Sequence, residues 1–178
     1  MANILILYST TDGHTRKICE RIQDILEQQG QVVTLVSLND NPELDLSLFD
    51  KIVIGASIRY GKHRPEVTEY INANAELLTG KPGAFFSVNV TARKPNKNTP
   101  ETNPYMPKFL KQIHWQPTRL AVFAGKIDYP RYTLFDRSMI RFIMWITKGP
   151  TDRNAVVEFT DWQAVENFAH IISEMKSI

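Results

Sequence analysis

The 178-residue chain has a single cysteine, Cys19, which excludes an internal disulfide framework and any multi-cysteine metal site. That cysteine follows Ile18 among the apolar positions of the first predicted helix, which marks it as a buried structural thiol rather than a reactive one. No run approaches the roughly 18 apolar residues needed to cross a bilayer. The short N-terminal apolar run lacks a basic leader and soon meets Asp12, so it does not read as a signal peptide, and a cytoplasmic location is expected. The dinucleotide fingerprint Gly-x-Gly-x-x-Gly is absent, and no Lys follows Gly13 as a P-loop would require. The first loop also has neither the Cys nor the following Arg of a low-molecular-weight phosphatase. Net charge is small, at +2, and no metal site is expected. The 43% hydrophobic and 22% charged composition is that of a globular chain whose length suits one domain over residues 1–178.

What is present is an alternation of short apolar strands with helical patterns. Ile4-Leu5-Ile6-Leu7-Tyr8 is a continuous apolar run, as expected of a strand covered on both faces. Ile18, Ile22, Ile25 and Leu26 then recur at helical spacing, and Gly30 ends that helix. Further strands are predicted at 32–36, 51–56, 83–88 and 119–124, with helices over about 64–78, 104–114 and 162–175. Five such strands with intervening helices argue for an α/β three-layer sandwich around a parallel sheet of order 2-1-3-4-5. A receiver domain shares that order, but it would end its third strand on Asp, where this chain has Gly55-Ala56-Ser57.

Ligands of such sheets sit beyond the carboxyl ends of the strands, where strand order reverses. Three loops should converge there. The first, Ser9-Thr10-Thr11-Asp12-Gly13-His14-Thr15, offers hydroxyls and backbone N–H groups at a helix N-terminus, which suits a phosphate. With dinucleotide and P-loop chemistry excluded, FMN is the leading ligand; an ordinary polar turn with a helix cap is the competing reading. The second loop is Ser57-Ile58-Arg59-Tyr60-Gly61, in which Tyr60 would stack on a flat ring or lie half-buried at the surface. The third begins at Ser87-Val88-Asn89-Val90, whose backbone would bond the polar edge of a flavin.

Two segments exceed what a minimal sheet needs, and both are basic. Residues 91–119 carry six Lys or Arg against one Glu, residues 126–148 carry five against two Asp, and the rest of the chain is correspondingly acidic. This asymmetry points to an anionic partner for the C-terminal half. Arg93 and Lys94, with Lys97, lie in a long Pro- and Asn-rich connection and would receive substrate carboxylates; a merely solvated basic loop is the alternative. In 134–148 the pattern predicts a strongly apolar helix, stopped by Gly149-Pro150. At about 100° per residue, Arg137, Arg141 and Lys148 form one stripe among Phe142, Trp145 and other apolar residues. A basic stripe on an apolar helix suits an anionic membrane surface; a core helix or a homo-oligomer interface is the competing reading.

The residues match a known family along nearly the whole chain. The sequence closely resembles the flavodoxin-like bacterial protoporphyrinogen oxidases, the menaquinone-dependent protoporphyrinogen IX dehydrogenases of haem biosynthesis. The resemblance is carried by Tyr8-Ser9-Thr10 with Asp12-Gly13 and Thr15, by Val53 to Gly61, and by Ser87-Val88-Asn89. Ala92-Arg93-Lys94-Pro95, Thr99-Pro100, Thr102-Asn103, Tyr129-Pro130-Arg131-Tyr132 and Thr160-Asp161-Trp162 extend it. It implies a flavodoxin-like fold with an added segment near 126–150, FMN, and attachment to the cytoplasmic face of the inner membrane. It also implies six-electron oxidation of protoporphyrinogen IX in three two-electron steps, with electrons passed to a quinone, menaquinone or ubiquinone. Arg93, Lys94 and Arg131 then become receptors for the two propionates. Simpler flavodoxins commonly have a hydroxyl where this chain has Asp12. A carboxylate would repel a phosphate, so Asp12 is expected to cap the first helix or bond a neighbouring N–H. No general base is identified: His14 and His63 both read as loop residues. The rivals are an FMN-dependent NAD(P)H:quinone reductase and a non-catalytic membrane-associated protein on the same scaffold. Nucleic acid is not an expected partner, because the basic segments lack a groove-reading fold.

Overall fold

The computed structural model describes residues 1–40 and 43–176. In chain order the elements are β1 (Asn3–Ser9), α1 (His14–Gln28), β2 (Val32–Ser37), β3 (Lys51–Arg59) and β4 (Lys62–His63). They continue with α2 (Pro65–Ala73), α3 (Ala75–Thr79), β5 (Gly83–Asn89), α4 (Met106–Leu110), β6 (Arg119–Ala124) and β7 (Lys126–Asp128). The chain closes with α5 (Leu134–Ile146), β8 (Val156–Glu158) and α6 (Trp162–Glu174). Strands β2, β1, β3, β5 and β6 lie side by side and all pair in parallel, so the main sheet has the expected 2-1-3-4-5 order.

Because successive strand residues face opposite sides, the continuous apolar runs supply two cores at once. Ile4, Ile6, Val53 and Phe86 pack with Ile18, Ile22 and Leu26 of α1 and Phe168 and Ile172 of α6. Leu5, Leu7, Ile52, Ile54 and Phe85 face Val67, Ile71, Phe109 and Trp115 on the opposite side. Gly55 is paired in register with Phe86 of the neighbouring β5, whose ring lies so close that a Cβ at Gly55 would clash with it. Lys51 locks α6 to the sheet: its Nζ donates to the carbonyls of Ile172 and Ser173 at 3.0 and 2.7 Å. Cys19 is fully buried in the first core, and desolvation pushes its thiol far up.

Several predicted elements differ in extent. The helix expected over 64–78 is two, α2 and α3, parted at Asn74, whose side chain donates to the Tyr70 carbonyl at 2.8 Å. The helix expected near 104–114 shrinks to five residues, with Pro107 in its first turn. β3 runs past Ala56 to Arg59 and turns back as β4, so the second predicted loop is a hairpin at a sheet end. α5 stops at Ile146, and Lys148 follows with φ of 59°, a left-handed residue outside the helix.

The added segment has its own small core. β7 and β8 pair antiparallel, and Ile127, Tyr129, Tyr132 and Met144 are buried beneath α5. Met144 is the only buried residue of α5, and the outer face of the helix is apolar. Leu134, Phe135, Met139, Phe142, Trp145 and Ile146 are exposed along one arc of about 140°. Trp145 retains 71% of its surface and Phe135 69%, far more than a helix serving only its own core would leave. Arg137 and Arg141 do not stand free beside that face. The Nε of Arg137 donates to the Tyr129 carbonyl at 3.1 Å, and that of Arg141 to the Thr151 carbonyl at 2.7 Å. No helix among the described residues is long and apolar enough to cross a membrane.

Candidate functional site

The carboxyl ends of β1, β3, β5 and β6 open into a cavity of about 350 Å³. All three predicted loops line it: Thr10 through Thr15 from the first, Ser57 through Gly61 from the second, and Val88, Asn89 and Val90 from the third. Ser9 and Ser87 are buried behind the wall instead. Arg131 lines the cavity; Arg93 and Lys94 do not.

The first loop is shaped for an anion. Gly13 takes φ of 88°, a left-handed turn that glycine adopts without strain, and its N–H donates to Thr10 Oγ1 at 2.9 Å. α1 starts immediately after, so the N–H groups of its first turn have no intrahelical acceptor and carry the positive end of the helix dipole. Thr15 sits in that turn with 1% exposure. Its Oγ1 is the one buried side-chain oxygen or nitrogen among the described residues without a hydrogen-bond partner. An unpaired buried hydroxyl costs about 1–3 kcal/mol, so a group that completes it is favoured there. A phosphate oxygen fits that donor set.

Of the two roles expected for Asp12, capping α1 is not the one it takes; it bonds an N–H group instead. Gly13 holds the cap position without a side-chain bond, and Asp12 instead accepts from the guanidinium of Arg59. The same guanidinium reaches Asp136 Oδ2 at 3.4 Å and lies 5.1 Å from the centre of the Tyr132 ring. Asp12 is therefore neutralised from the neighbouring strand, and no bare carboxylate faces the phosphate loop.

Both histidines in this region are committed to structure. Thr160 Oγ1 donates to the Ala124 carbonyl at 2.7 Å, so its contact with His14 Nε2, also 2.7 Å, has the imidazole as donor. Burial lowers the His14 pKa, opposed by Glu158, whose carboxylate stands 3.7 Å from Nδ1. His63 is buried between Phe85 and Phe109, and desolvation pulls its pKa down to about 4. Its Nε2 meets Ser87 Oγ at 2.9 Å, and Ser87 in turn accepts from Asn89. Asn89 Oδ1 accepts from Ala92 N and Asn103 Nδ2, both at 3.0 Å. Asn103, fully buried, also donates to the Lys97 carbonyl. The long basic connection is thus tied to the end of β5 by buried amides, which fixes the third wall of the cavity.

Arg93 belongs to this scaffold. Its guanidinium donates to the carbonyls of Val90 at 3.0 Å and Thr147 at 3.1 Å, with Thr147 Oγ1 at 3.2 Å and the Phe159 ring alongside. It anchors the end of α5 to the turn after β5.

Sequence reasoning missed one whole side of the cavity. Gly125, Lys126, Ile127, Asp128 and Tyr132 come from the β7 region, Ile140, Ile143 and Met144 from the inner face of α5, and Thr91 and Tyr105 from the long connection. The helical period of 134–146 separates Ile140 and Met144 from the outer arc, but nothing in the sequence says where that inner face docks. The mouth mixes anion-binding and apolar groups. Lys17 pairs with Glu158 at 3.3 Å and Lys126 with Asp128 at 3.6 Å, while Arg131 is exposed and forms no ion pair among the described residues.

Residues 5–154 match the flavodoxin domain family. The chain is 43% identical to the protein of Escherichia coli strain K12 named protoporphyrinogen IX dehydrogenase (quinone), over 171 residues covering 96% of this chain and 94% of that one. A protein of the same name from Leishmania major is 46% identical over 166 residues, 93% of this chain and 72% of its own. Oxidised flavodoxin 1 of Bacillus cereus aligns with a TM-score of 0.58 at 13% identity, over 98% of this chain and 100% of that one, a likeness of fold. Both of the first two matches extend over more than nine-tenths of this chain. This chain belongs to the protoporphyrinogen IX dehydrogenase (quinone) family, built on the flavodoxin fold.

Proposed function

We propose that this chain binds FMN and oxidises protoporphyrinogen IX to protoporphyrin IX, passing the electrons to a quinone. The observation that carries the cofactor is Thr15: a buried, unpartnered hydroxyl in the first turn of a helix, on the wall of a cavity of suitable size. The observation that carries the substrate is sequence identity of 43% and 46%, over more than nine-tenths of the chain, to proteins of that name.

Bound FMN supplies the two-electron acceptor, and the six electrons of the substrate leave in three such steps. Thr10, Thr15 and the first N–H groups of α1 hold the phosphate. Tyr60, Asn89 and the backbone of 57–61 and 88–90 bound the ring. Ile140, Ile143 and Met144 form an apolar wall against which a macrocycle or a quinone ring displaces water. Arg131, at the mouth and without an ion-pair partner among the described residues, receives a propionate; Lys126 lines the same cavity. Menaquinone or ubiquinone fits the same wall.

The outer face of α5 serves a membrane. Because Arg137 and Arg141 each spend a donor on backbone carbonyls, the apolar arc carries most of the attachment. Near an anionic surface each cation adds about 1 kcal/mol, whereas each inserted large apolar side chain adds about 1.5–3 kcal/mol. The protein then lies peripherally on the cytoplasmic face of the inner membrane, with the cavity behind the inserted helix.

The deciding assay is anaerobic mixing of the FMN-loaded protein with protoporphyrinogen IX, followed by turnover with menadione. Flavin bleaching and porphyrin fluorescence well above the spontaneous rate are expected. Bleaching by NADPH with none by protoporphyrinogen would reverse the assignment to an NAD(P)H:quinone reductase.

A further inference from the structure

Five side chains from three distant stretches meet on one side of the cavity. Arg59, the last residue of β3, bonds Asp12 of the first loop and Asp136 of α5, over the ring of Tyr132. Tyr60 donates its hydroxyl to the other oxygen of Asp136. Asp12, Arg59, Tyr60 and Tyr132 line the cavity, and Asp136 stands behind them in the first turn of α5. That turn is itself anchored, since Thr133 Oγ1 accepts from the Asp136 N–H at 3.2 Å.

Two features of this cluster go beyond ordinary packing. Tyr60 has φ of 53°, followed by Gly61 at 80°. A left-handed tyrosine is strained and persists where its surroundings over-determine it, and such strain gathers at functional sites. The bond to Asp136 is the restraint on the Tyr60 side chain. Desolvation and then the Asp136 carboxylate hold the Tyr60 hydroxyl above its usual pKa, so it remains a donor. The second feature is charge. Two carboxylates share one guanidinium, which leaves this cluster at −1; the neighbouring pairs Lys17–Glu158 and Lys126–Asp128 cancel, and the one further cation of the lining, Arg131, is solvent-exposed and has no contact with the cluster among the described hydrogen bonds and ion pairs.

We propose that Asp136 is a positioning residue through which the added segment sets the properties of the bound flavin: its carboxylate fixes Arg59 and Tyr60 on the cavity wall and supplies the excess negative charge there. The inference rests on FMN being the ligand. Negative charge beside a flavin disfavours the incoming electrons, so the cluster holds the reduction potential down and helps reduced cofactor pass its electrons to a quinone.

The test is a redox titration of FMN-loaded wild-type protein and variants, with oxidised FMN affinity measured by fluorescence quenching. Asp136→Asn makes the cluster neutral. It is expected to raise the affinity ratio of reduced to oxidised FMN about tenfold, which is about 30 mV upward for a two-electron couple. Asp136→Glu restores the charge and should return the potential toward wild type. Tyr60→Phe keeps every charge; it should leave the potential near wild type while weakening oxidised FMN binding several-fold. A purely structural Asp136 would alter the melting temperature without moving the potential, and that result overturns the proposal. If Asp136→Asn fails to fold, Tyr60→Phe decides, and FMN affinity equal to wild type overturns it. Wild-type protein that takes up no FMN defeats the cofactor reading and this proposal together, an outcome distinguishable because it appears before any variant is compared.

Discussion

Arg93 offers the sharpest test of how the basic connection works, because two roles predict opposite outcomes. As a substrate receptor it would govern KM; as the strut seen here it governs stability. Arg93→Ala removes charged donors from the carbonyls of Val90 and Thr147 and a cation from beside the Phe159 ring. Hydrogen bonds to charged groups contribute about 1.5–3 kcal/mol each, and the partly buried setting places both near the lower figure. The ring contact adds about 0.5–1 kcal/mol. Against these stands about 2 kcal/mol of rotamer entropy that the ordered arginine gives up. The net loss is about 2 kcal/mol, or a fall in Tm of about 4–8 °C for a domain of this size. Calorimetry of the FMN-free variant measures this directly, and steady-state turnover supplies KM. Lys at this position should not rescue, since one ammonium cannot bridge both carbonyls with the same planar geometry. Unchanged Tm with a several-fold rise in KM would refute the strut and return Arg93 to the substrate.

Three further outcomes are expected. Thr15→Val should weaken FMN binding about tenfold or more while leaving the FMN-free protein as stable as wild type or slightly more so, because it removes an unpaired buried hydroxyl; fluorescence titration and urea unfolding read the two signs. His63 has its folded pKa depressed to about 4, so above pH 6.5 it contributes no pH dependence. As pH falls from 6.5 toward 4 the unfolded chain takes up the proton first, and stability should drop by about 3 kcal/mol; an imidazole titrating near 6.5 by NMR would contradict this. Phe142→Ser with Trp145→Ser removes about 3 kcal/mol of insertable apolar surface, so co-sedimentation with vesicles containing anionic lipid should weaken about a hundredfold with Tm unchanged; undiminished binding would count against the membrane role of α5.

The strands and their order were legible in the sequence because a parallel sheet buried on both faces demands uninterrupted apolar runs. Ile4 to Leu7, Ile52 to Ile54 and Ala84 to Phe86 have few other places to go. The loop positions followed from the same logic, since a parallel sheet gathers its carboxyl-end loops at one edge. Helix ends were less legible, as Asn74 shows: its side chain competes for the Tyr70 carbonyl, a local choice that periodicity does not register.

Local sequence thus determined the fold, the position of the first loop at the sheet's carboxyl end and the family. Only tertiary structure decided which charges are free. Asp12 reads as a helix cap until Arg59 is seen beside it, Arg93 as a carboxylate receptor until Val90 and Thr147 occupy its donors, and Arg137 and Arg141 as an exposed stripe until backbone carbonyls meet them. Asp12 and Arg59 are 47 positions apart, and Arg93 and Thr147 are 54. A backbone period fixes the face on which a side chain emerges. Its partner is set by long-range packing, which places no pattern in the chain nearby.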